Sequence, residues 1–549
     1  MTSRPDLLEP LALALCNQGH ALLGHGRLVD AITLYQRALA HAPDLPEGYF
    51  GMAEVARILR RPNEALRFYA AALSLDPDHV PAKSGLIHMA QHLCDWGELA
   101  ALWEWQQQRI HRTPAPLISP FMILAMPSSG TEQLAVAHTW AAAFSGAYRP
   151  VRERLAFQFP RRPKPTLRIG YICPNFHATA TARLTAELFE LHDRSRFAVY
   201  LFSLGPDDGS PMRQRLIAGC DVFVDIASID DVAAARRIYA DRVDILVDLL
   251  MFGGFSRPEI LALRPAPIQV SYLSYPVSTA AEFVDYCITD HFVTPSAQEG
   301  FFSEKLVYLP DCYQINDRQR PITETFPTRT ECGLPEGGFV FCCFNNSYKI
   351  TPAMFDVWMR LLQAVPESVL WLLGTNPDTI ANLRHEATTR MVDPARLVFA
   401  PRQPVADHLA RHRLADLGLD TLPVNGHTTT SDALWAGLPL VTCAGDTFVS
   451  RVAGSLLHAI GLPELVTSSL TEYEALALHL ARTPVVLGEL RERLAANRGT
   501  APLFDTPRTT RHLEWGYAAM WEHYLRGGPP APIEVPALED PGVGEGQAA

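Results

Sequence analysis

The stretches GRLVDAITLYQRALAHAPDLPEGY and RRPNEALRFYAAALSLDPDHVPAK are one pattern written twice. Ala31, Tyr35, Ala38 and Pro43 recur 34 residues on as Ala65, Tyr69, Ala72 and Pro77. A fixed period of this length means a small unit stacked on copies of itself, because one short helix pair cannot bury its apolar face alone. The alanines let two helices approach closely and the tyrosine fills the gap between them. The proline ends the second helix, since it has no N–H for the ladder. A degenerate third copy carries Leu99 and Trp103 in the alanine and tyrosine places.

The order small–aromatic–small–proline at this period is the tetratricopeptide signature. Residues 1–112 are therefore expected to form an all-α solenoid. Such stacks present a concave surface to peptides or partner proteins, and a stack this short serves equally well as a structural cap on the neighbouring domain. Residues 113–165 read as a helical connector ending in the Pro- and Arg-rich FPRRPKPT.

From residue 166 the pattern changes. LRIGYIC (167–173), FAVYLFSLG, DILVDLL, IQVSYLSY and KLVYLP are short apolar runs of strand type, separated by helical stretches such as TARLTAELFELHD. Strands alternating with helices imply a parallel sheet built from crossover units. A second set, FVFCCFNN, SVLWLLG, RLVFAP, LGLD and LPLVT, comes after PITETFPTRTECGLPEGG. Residues 166–320 and 321–526 thus read as two α/β units in series. The second is closed by the amphipathic EWGYAAMWEHYLR, expected to pack back across the first. Two such units leave a cleft, and ligands bind at the carboxyl ends of their strands. The tail 527–549 has Pro, Gly and acid but few anchors, and is expected to be disordered.

Composition excludes several classes. A net charge of -12 argues against a nucleic-acid binder, which shows a basic face. No apolar run approaches the ~20 residues of a membrane span, and the N-terminus lacks the basic start of a secretory signal. The ten cysteines include no CxxC pair, and read as reduced, buried thiols of a cytoplasmic protein. There is no HExxH, GxSxG or Walker A pattern, so neither a metal site nor a hydrolase or NTPase is indicated.

Chemistry is concentrated in VNGHTTTSDALWAG, residues 424–437. A strand–loop–helix unit places free backbone N–H groups and the positive dipole end at the helix start, which suits a phosphate. His427, Thr428 and Thr429 add side-chain donors, and Asp432 is placed to accept from a ribose hydroxyl. The competing reading is a Thr or Ser N-cap with an acid favouring the dipole. In FNNSYKI, Asn346 and Lys349 follow a strand, where a lysine is a counter-charge for a diphosphate leaving group. In DHLARHRL, His408 and Arg411 share a helix face at i, i+3.

Taken in order, LRIGY, ALRPAPIQV, FCCFNNSYKITP, RLADLGLDTLPVNGHTTTSDALWAGLPLVT and SRVAGSLLHAIGL resemble the protein O-linked N-acetylglucosamine transferase family, which includes the SPINDLY-type enzymes. The short repeat region is similar to bacterial members. The resemblance implies a GT-B transferase of two Rossmann-like α/β units behind the repeats. It implies inverting, metal-independent transfer of a sugar from a nucleotide sugar to Ser or Thr of a protein acceptor bound through the repeats. UDP-N-acetylglucosamine is the implied co-substrate, with no further cofactor. GDP-fucose or a flagellin-modifying sugar donor is the alternative within the same fold, and a catalytically inactive repeat scaffold the alternative outside it. By this likeness Lys349 steadies the diphosphate with Asn346 nearby. His408 packs near the nucleobase with Arg411 on the same helix, His427, Thr428 and Thr429 lie at the sugar diphosphate, and Asp432 meets the ribose. The acceptor half departs from the family: Thr179 and Arg183 stand where two histidines are usual, and His177, two residues before Thr179, is the candidate general base. The "LGYPG" loop of the family is here LSYPVS, with Ser274 and Val277.

Overall fold

Three helix pairs lead the chain in the computed structural model, which describes residues 8–112, 117–325, 327–374 and 376–537. They are Leu8–Gly24 with Leu28–His41, Pro46–Ile58 with Pro62–Leu75, and Val80–Leu93 with Leu99–Ile110. The repeat residues do what their spacing predicts. Ala31, Tyr35, Ala38, Ala65, Tyr69 and Ala72 are all fully buried. A glycine receives each tyrosine: a Cβ at Gly51 would lie 2.2 Å from the Tyr35 ring, and one at Gly85 would lie 2.3 Å from the Tyr69 ring. Gly51 and Gly85 are themselves 34 residues apart, a further repeat signal beside the alanine and tyrosine spacing.

The first α/β unit holds strands β1 (Leu167–Cys173), β2 (Phe197–Ser203), β3 (Val222–Asp225), β4 (Ile245–Asp248), β5 (Ile268–Ser271), β6 (Tyr286–Asp290) and β7 (Lys305–Leu309). The second holds β8 (Val340–Cys343), β9 (Val369–Leu373), β10 (Leu397–Ala400), β11 (Leu417–Leu419), β12 (Leu440–Cys443) and β13 (Val466–Thr467), and the chain closes on β14 (Ile533–Glu534). The sheet orders are β14-β7-β6-β5-β4-β1-β2-β3 and β10-β9-β8-β11-β12-β13. Every pairing is parallel, with Ile169 opposite Ile245 and Leu417 opposite Phe341. Helices cover both faces, so strand residues of either parity are buried. Cys342 and Cys343 are 4% and 3% exposed on opposite faces of β8. All ten cysteines are unpaired.

In both sheets the order reverses beside the first strand, between β1 and β4 and between β8 and β11. Such switch points open a crevice at the carboxyl ends of the strands. Lys349 follows β8, His427 follows β11, and Thr179 and Arg183 follow β1, so each lies just beyond a strand that flanks one of these points. Helix Thr506–Arg526 packs back on the first unit, as its amphipathic pattern implies. Glu514 accepts from the Asp193 N–H at 2.7 Å and lies 3.0 Å from His192, whose other ring nitrogen meets Tyr171 at 2.8 Å. No described helix is long and apolar enough to cross a membrane.

The structure departs from two expected boundaries and adds strands. The tail expected to be disordered from 527 is a strand at 533–534, because Ile533 and Glu534 pair with Val307 and Tyr308 at the open edge of the first sheet; residues 538–549 lie outside the described residues. The division at residue 112 does not separate two cores. Ile87, Ala90, Cys94, Trp96 and Leu99 belong to the large core of the two α/β units. Ser347 Oγ donates to the His92 carbonyl at 2.6 Å and Asn382 to the Leu93 carbonyl at 3.0 Å, so the third helix pair is the seat of the repeats. Strands β3, β6 and β13 add to those expected. They are two to five residues long, too short for a periodicity to declare itself.

Candidate active site

Helix Thr428–Ala436 follows β11 through a tight loop. The loop needs Gly426. A Cβ there would meet Thr430 Oγ1 at 2.5 Å, and its N–H donates to Asp420 Oδ1 at 2.6 Å. The N-cap is His427, and no side chain caps the helix. The Thr or Ser N-cap reading is therefore set aside. All three threonines lie inside the first turn, and the backbone N–H groups there are left for a ligand. Thr428 and Thr429 are half-buried at that end.

Lys349 reaches the same place from the β8 side. The residue is 9% exposed, and its ammonium donates to the Asn425 carbonyl at 2.7 Å. Burial pushes it down to about 8 against the pull of Asp420. Burial, then the Lys349 charge, push the His427 imidazole down to about 3, so the ring is neutral, and its Nε2 has no hydrogen-bond partner. A neutral ring beside a cation, at an open helix start, is a setting for a dianion.

Two residues that the sequence motifs contain but did not single out build this corner. Asp420, at the end of β11, is buried and accepts from Thr442 Oγ1 at 2.6 Å as well as from Gly426. Asn345 spans Asp420 and Thr421 at 3.2 and 2.9 Å. The available signal was position: both are the first polar residues after the two strands flanking the switch point. Asn346 is exposed, and turns away into a cavity shared with the repeats.

His408 and Arg411 are brought together, with Arg411 Nη2 2.5 Å from His408 Nδ1. Arg411 is 1% exposed, lies 4.5 Å over the Phe344 ring and donates to the Pro401 carbonyl at 2.6 Å. Packing removes its guanidinium from the surface, where it braces His408. His408 is pushed down to about 2 by burial, then by His412, Arg411, Arg183 and Arg402.

Asp432 is occupied. Arg320, from the segment joining the two units, donates to Asp432 Oδ1 at 2.6 Å and to Ser431 Oγ at 3.3 Å. The Arg320 side chain is 2% exposed and lies over the rings of Trp435 and Phe504. Burial raises the Asp432 carboxyl, while Arg320 and then Arg183 pull it back. Only Oδ2 is left for a ribose hydroxyl.

From the first unit, Thr179 is the N-cap of helix Ala180–Leu191, accepting from Ala182 N at 3.4 Å and donating to the Asn175 carbonyl at 2.7 Å. Arg183, one turn on, is near enough for its charge to act on Asp432 and His408 of the second unit. Its Nε has no partner. Thr181 Oγ1 meets Ser274 Oγ at 3.2 Å, tying the loop after β5 to the same helix, and Val277 is buried. His177 stands beside Gly205 and Asp208 with its Nδ1 unpartnered. Among the described residues no hydrogen bond or ion pair joins it to the second unit.

Known proteins share this fold and much of this sequence. The family model described as glycosyl transferase family 41 matches residues 93–325 and 318–513. A probable UDP-N-acetylglucosamine–peptide N-acetylglucosaminyltransferase SEC of Arabidopsis thaliana is 34% identical over 473 residues, 82% of this chain and 48% of the relative. The UDP-N-acetylglucosamine–peptide N-acetylglucosaminyltransferase of Caenorhabditis elegans is 28% identical over 560 residues, 80% of this chain and 49% of the relative. The chain thus spans about half the length of these curated relatives. Among solved structures, a mutant of the Thermobaculum terrenum O-GlcNAc transferase superposes with a TM-score of 0.78 at 27% identity, covering 96% of this chain and 100% of that one.

Proposed function

The chain belongs to glycosyl transferase family 41, and from that premise we propose that it moves N-acetylglucosamine from UDP-N-acetylglucosamine to a Ser or Thr hydroxyl of a protein. The observation that carries this reading is the convergence of the Lys349 ammonium, the free His427 Nε2 and the uncapped start of helix Thr428–Ala436 at one switch point. The names of the relatives support the donor.

On this reading the acceptor hydroxyl forms a bond to the anomeric carbon from the face opposite the diphosphate. The bond from that carbon to the diphosphate oxygen breaks, its electron pair leaves with UDP, and the anomeric configuration inverts. Lys349 and the N–H groups of Thr428 and Thr429 stabilise the charge that grows on the leaving oxygen, the role a metal ion plays elsewhere. Arg411 is a positioning residue that holds His408 against the nucleobase. The hydroxyl proton leaves by a water relay or to His177.

A donor screen tests the reading. The protein is titrated with UDP-N-acetylglucosamine, GDP-fucose and a CMP-linked acidic sugar, following melting temperature and nucleotide release. A shift and turnover with the UDP sugar are expected. Binding of none, with no release, returns the chain to an inactive scaffold.

A second reading keeps the fold and changes the sugar, and Arg183 favours it, since it puts a guanidinium with a partnerless Nε where the family usually has a histidine. Arg183→Ala is expected to raise the donor KM by about tenfold, the worth of one hydrogen bond to a charged group, with kcat within about threefold. Arg183→Lys is expected to keep part of the affinity. An unchanged KM in both variants removes Arg183 from the donor site.

A further inference from the structure

Between the repeats and the transferase units lies a cavity of about 540 Å³. One wall is the concave side of the repeats, another the loop after β4, and the third the strand ends of the second unit, including Asn346. Its charges are not balanced. Glu54, Arg57, Arg60 and Arg402 line it. Arg57 pairs with Glu54 at 2.6 Å, and Tyr69 also donates to that carboxylate. His88 and His92 are pushed down, first by burial, His92 to about 4, and so stay neutral. That leaves Arg60 and Arg402, contributed by different units, with no hydrogen bond or ion pair to either side chain among the described residues. Arg60 lowers Arg402 by direct repulsion, after burial. Both are exposed and their repulsion is screened, and two like charges lining one space in a chain of net charge -12 make a local basic rim that suits an anion.

The loop after β4 adds an apolar feature. Phe255 is 44% exposed and its φ is +62°, a backbone region that an aromatic residue enters only when its surroundings impose it. An exposed aromatic held by strain at the mouth of a cavity is a typical anchor for a peptide side chain.

We propose that this cavity reads acidic acceptor segments, with Arg60 and Arg402 binding carboxylates that flank the modified Ser or Thr, and Phe255 holding an apolar neighbour. This rests on the transferase reading above and deepens it to the class of acceptor. The other anion within reach is a phosphate of the donor, and the test separates the two.

Peptides with a single Ser and with Glu, Ala or Lys at each flanking position are assayed with radiolabelled UDP-N-acetylglucosamine. In parallel, a fluorescent Glu-flanked peptide and a Lys-flanked one are titrated by anisotropy, which needs no turnover. Glu peptides are expected to bind and react about tenfold better than Lys peptides. Arg60→Asn suits the left-handed backbone at that position (φ +57°) and so keeps the fold. It is expected to bring the preference within about twofold, and Arg60→Glu to reverse it. Donor hydrolysis without peptide is expected to be unchanged in both. A parent protein with no acidic preference in binding, or a preference that survives both Arg60→Asn and Arg402→Ser, overturns the inference while donor hydrolysis stands. A raised donor KM in Arg60→Asn assigns the pair to the nucleotide and overturns it as well. Loss of donor hydrolysis in the parent itself is a failure of the transferase reading.

Discussion

Lys349→Met is expected to lower nucleotide-sugar turnover by about 10²–10³, the usual cost of removing one donor aimed at a developing oxyanion. Methionine fills the same buried volume, so the fold is kept. UDP still binds through the helix start and His427, more weakly by about tenfold. The pH profile provides an independent check. The Lys349 ammonium lies at about 8 in the free protein, and the chemistry needs it charged. The parent's kcat/KM should therefore fall as pH rises through about 8, while the limb in kcat moves higher, because a bound diphosphate favours the charged form. Stability responds with the opposite sign. Between about 8 and the ordinary lysine value of 10.5 the unfolded chain holds the proton that the folded chain has lost, so this group makes stability rise with pH across that window. The methionine variant should lack both features. Turnover within tenfold of the parent would remove Lys349 from the mechanism.

Asp432→Ala is the substitution expected to cost most stability, about 3–5 kcal/mol, the penalty for breaking a buried ion pair from one side. Arg320 would be left buried with Ser431 Oγ and the Asp317 carbonyl as partners, and with the Arg183 charge no longer offset. Thermal or urea unfolding measures this directly. Replacing both partners, Asp432→Ala with Arg320→Met, should recover much of the loss, because the uncompensated charge is gone. The double variant also separates the two roles of Asp432. If Oδ2 meets the ribose, donor KM stays high after stability returns. If the carboxylate is only structural, KM returns with stability.

The donor half of the site was legible because it is nearly contiguous. His427, Thr428, Thr429 and Asp432 span six positions, and their order on one helix start carries its own physics: a glycine hinge, free N–H groups and hydroxyls on the first turn. The repeats were legible for a related reason, since Tyr35 and Tyr69 report the same local packing twice. Arg411 was not, because a basic residue on a polar-looking helix face is indistinguishable, in one dimension, from one folded under a phenylalanine. Thr179 could not be understood as a cap until the start of helix Ala180–Leu191 was placed, and a capping threonine leaves no mark beyond its residue type.

By itself the sequence determined the period of the repeats, the alternation that makes two parallel sheets, and the clustering of His427, Thr428 and Thr429 at one helix start. Each of these is written in spacings of a few residues, or in one spacing repeated. The tertiary structure alone decided which charges meet. Arg320 reaches Asp432 across 112 positions, Arg183 faces the same carboxylate from the other α/β unit, and Arg60 of the repeats faces Arg402. Strand order and crossover closure choose those neighbours, and a buried charge takes whichever partner the fold brings within reach. The local pattern around Arg60 or Arg320 reads as an ordinary polar surface. Burial and a captured counter-charge make Arg320 part of a site, and a facing like charge from another unit does so for Arg60.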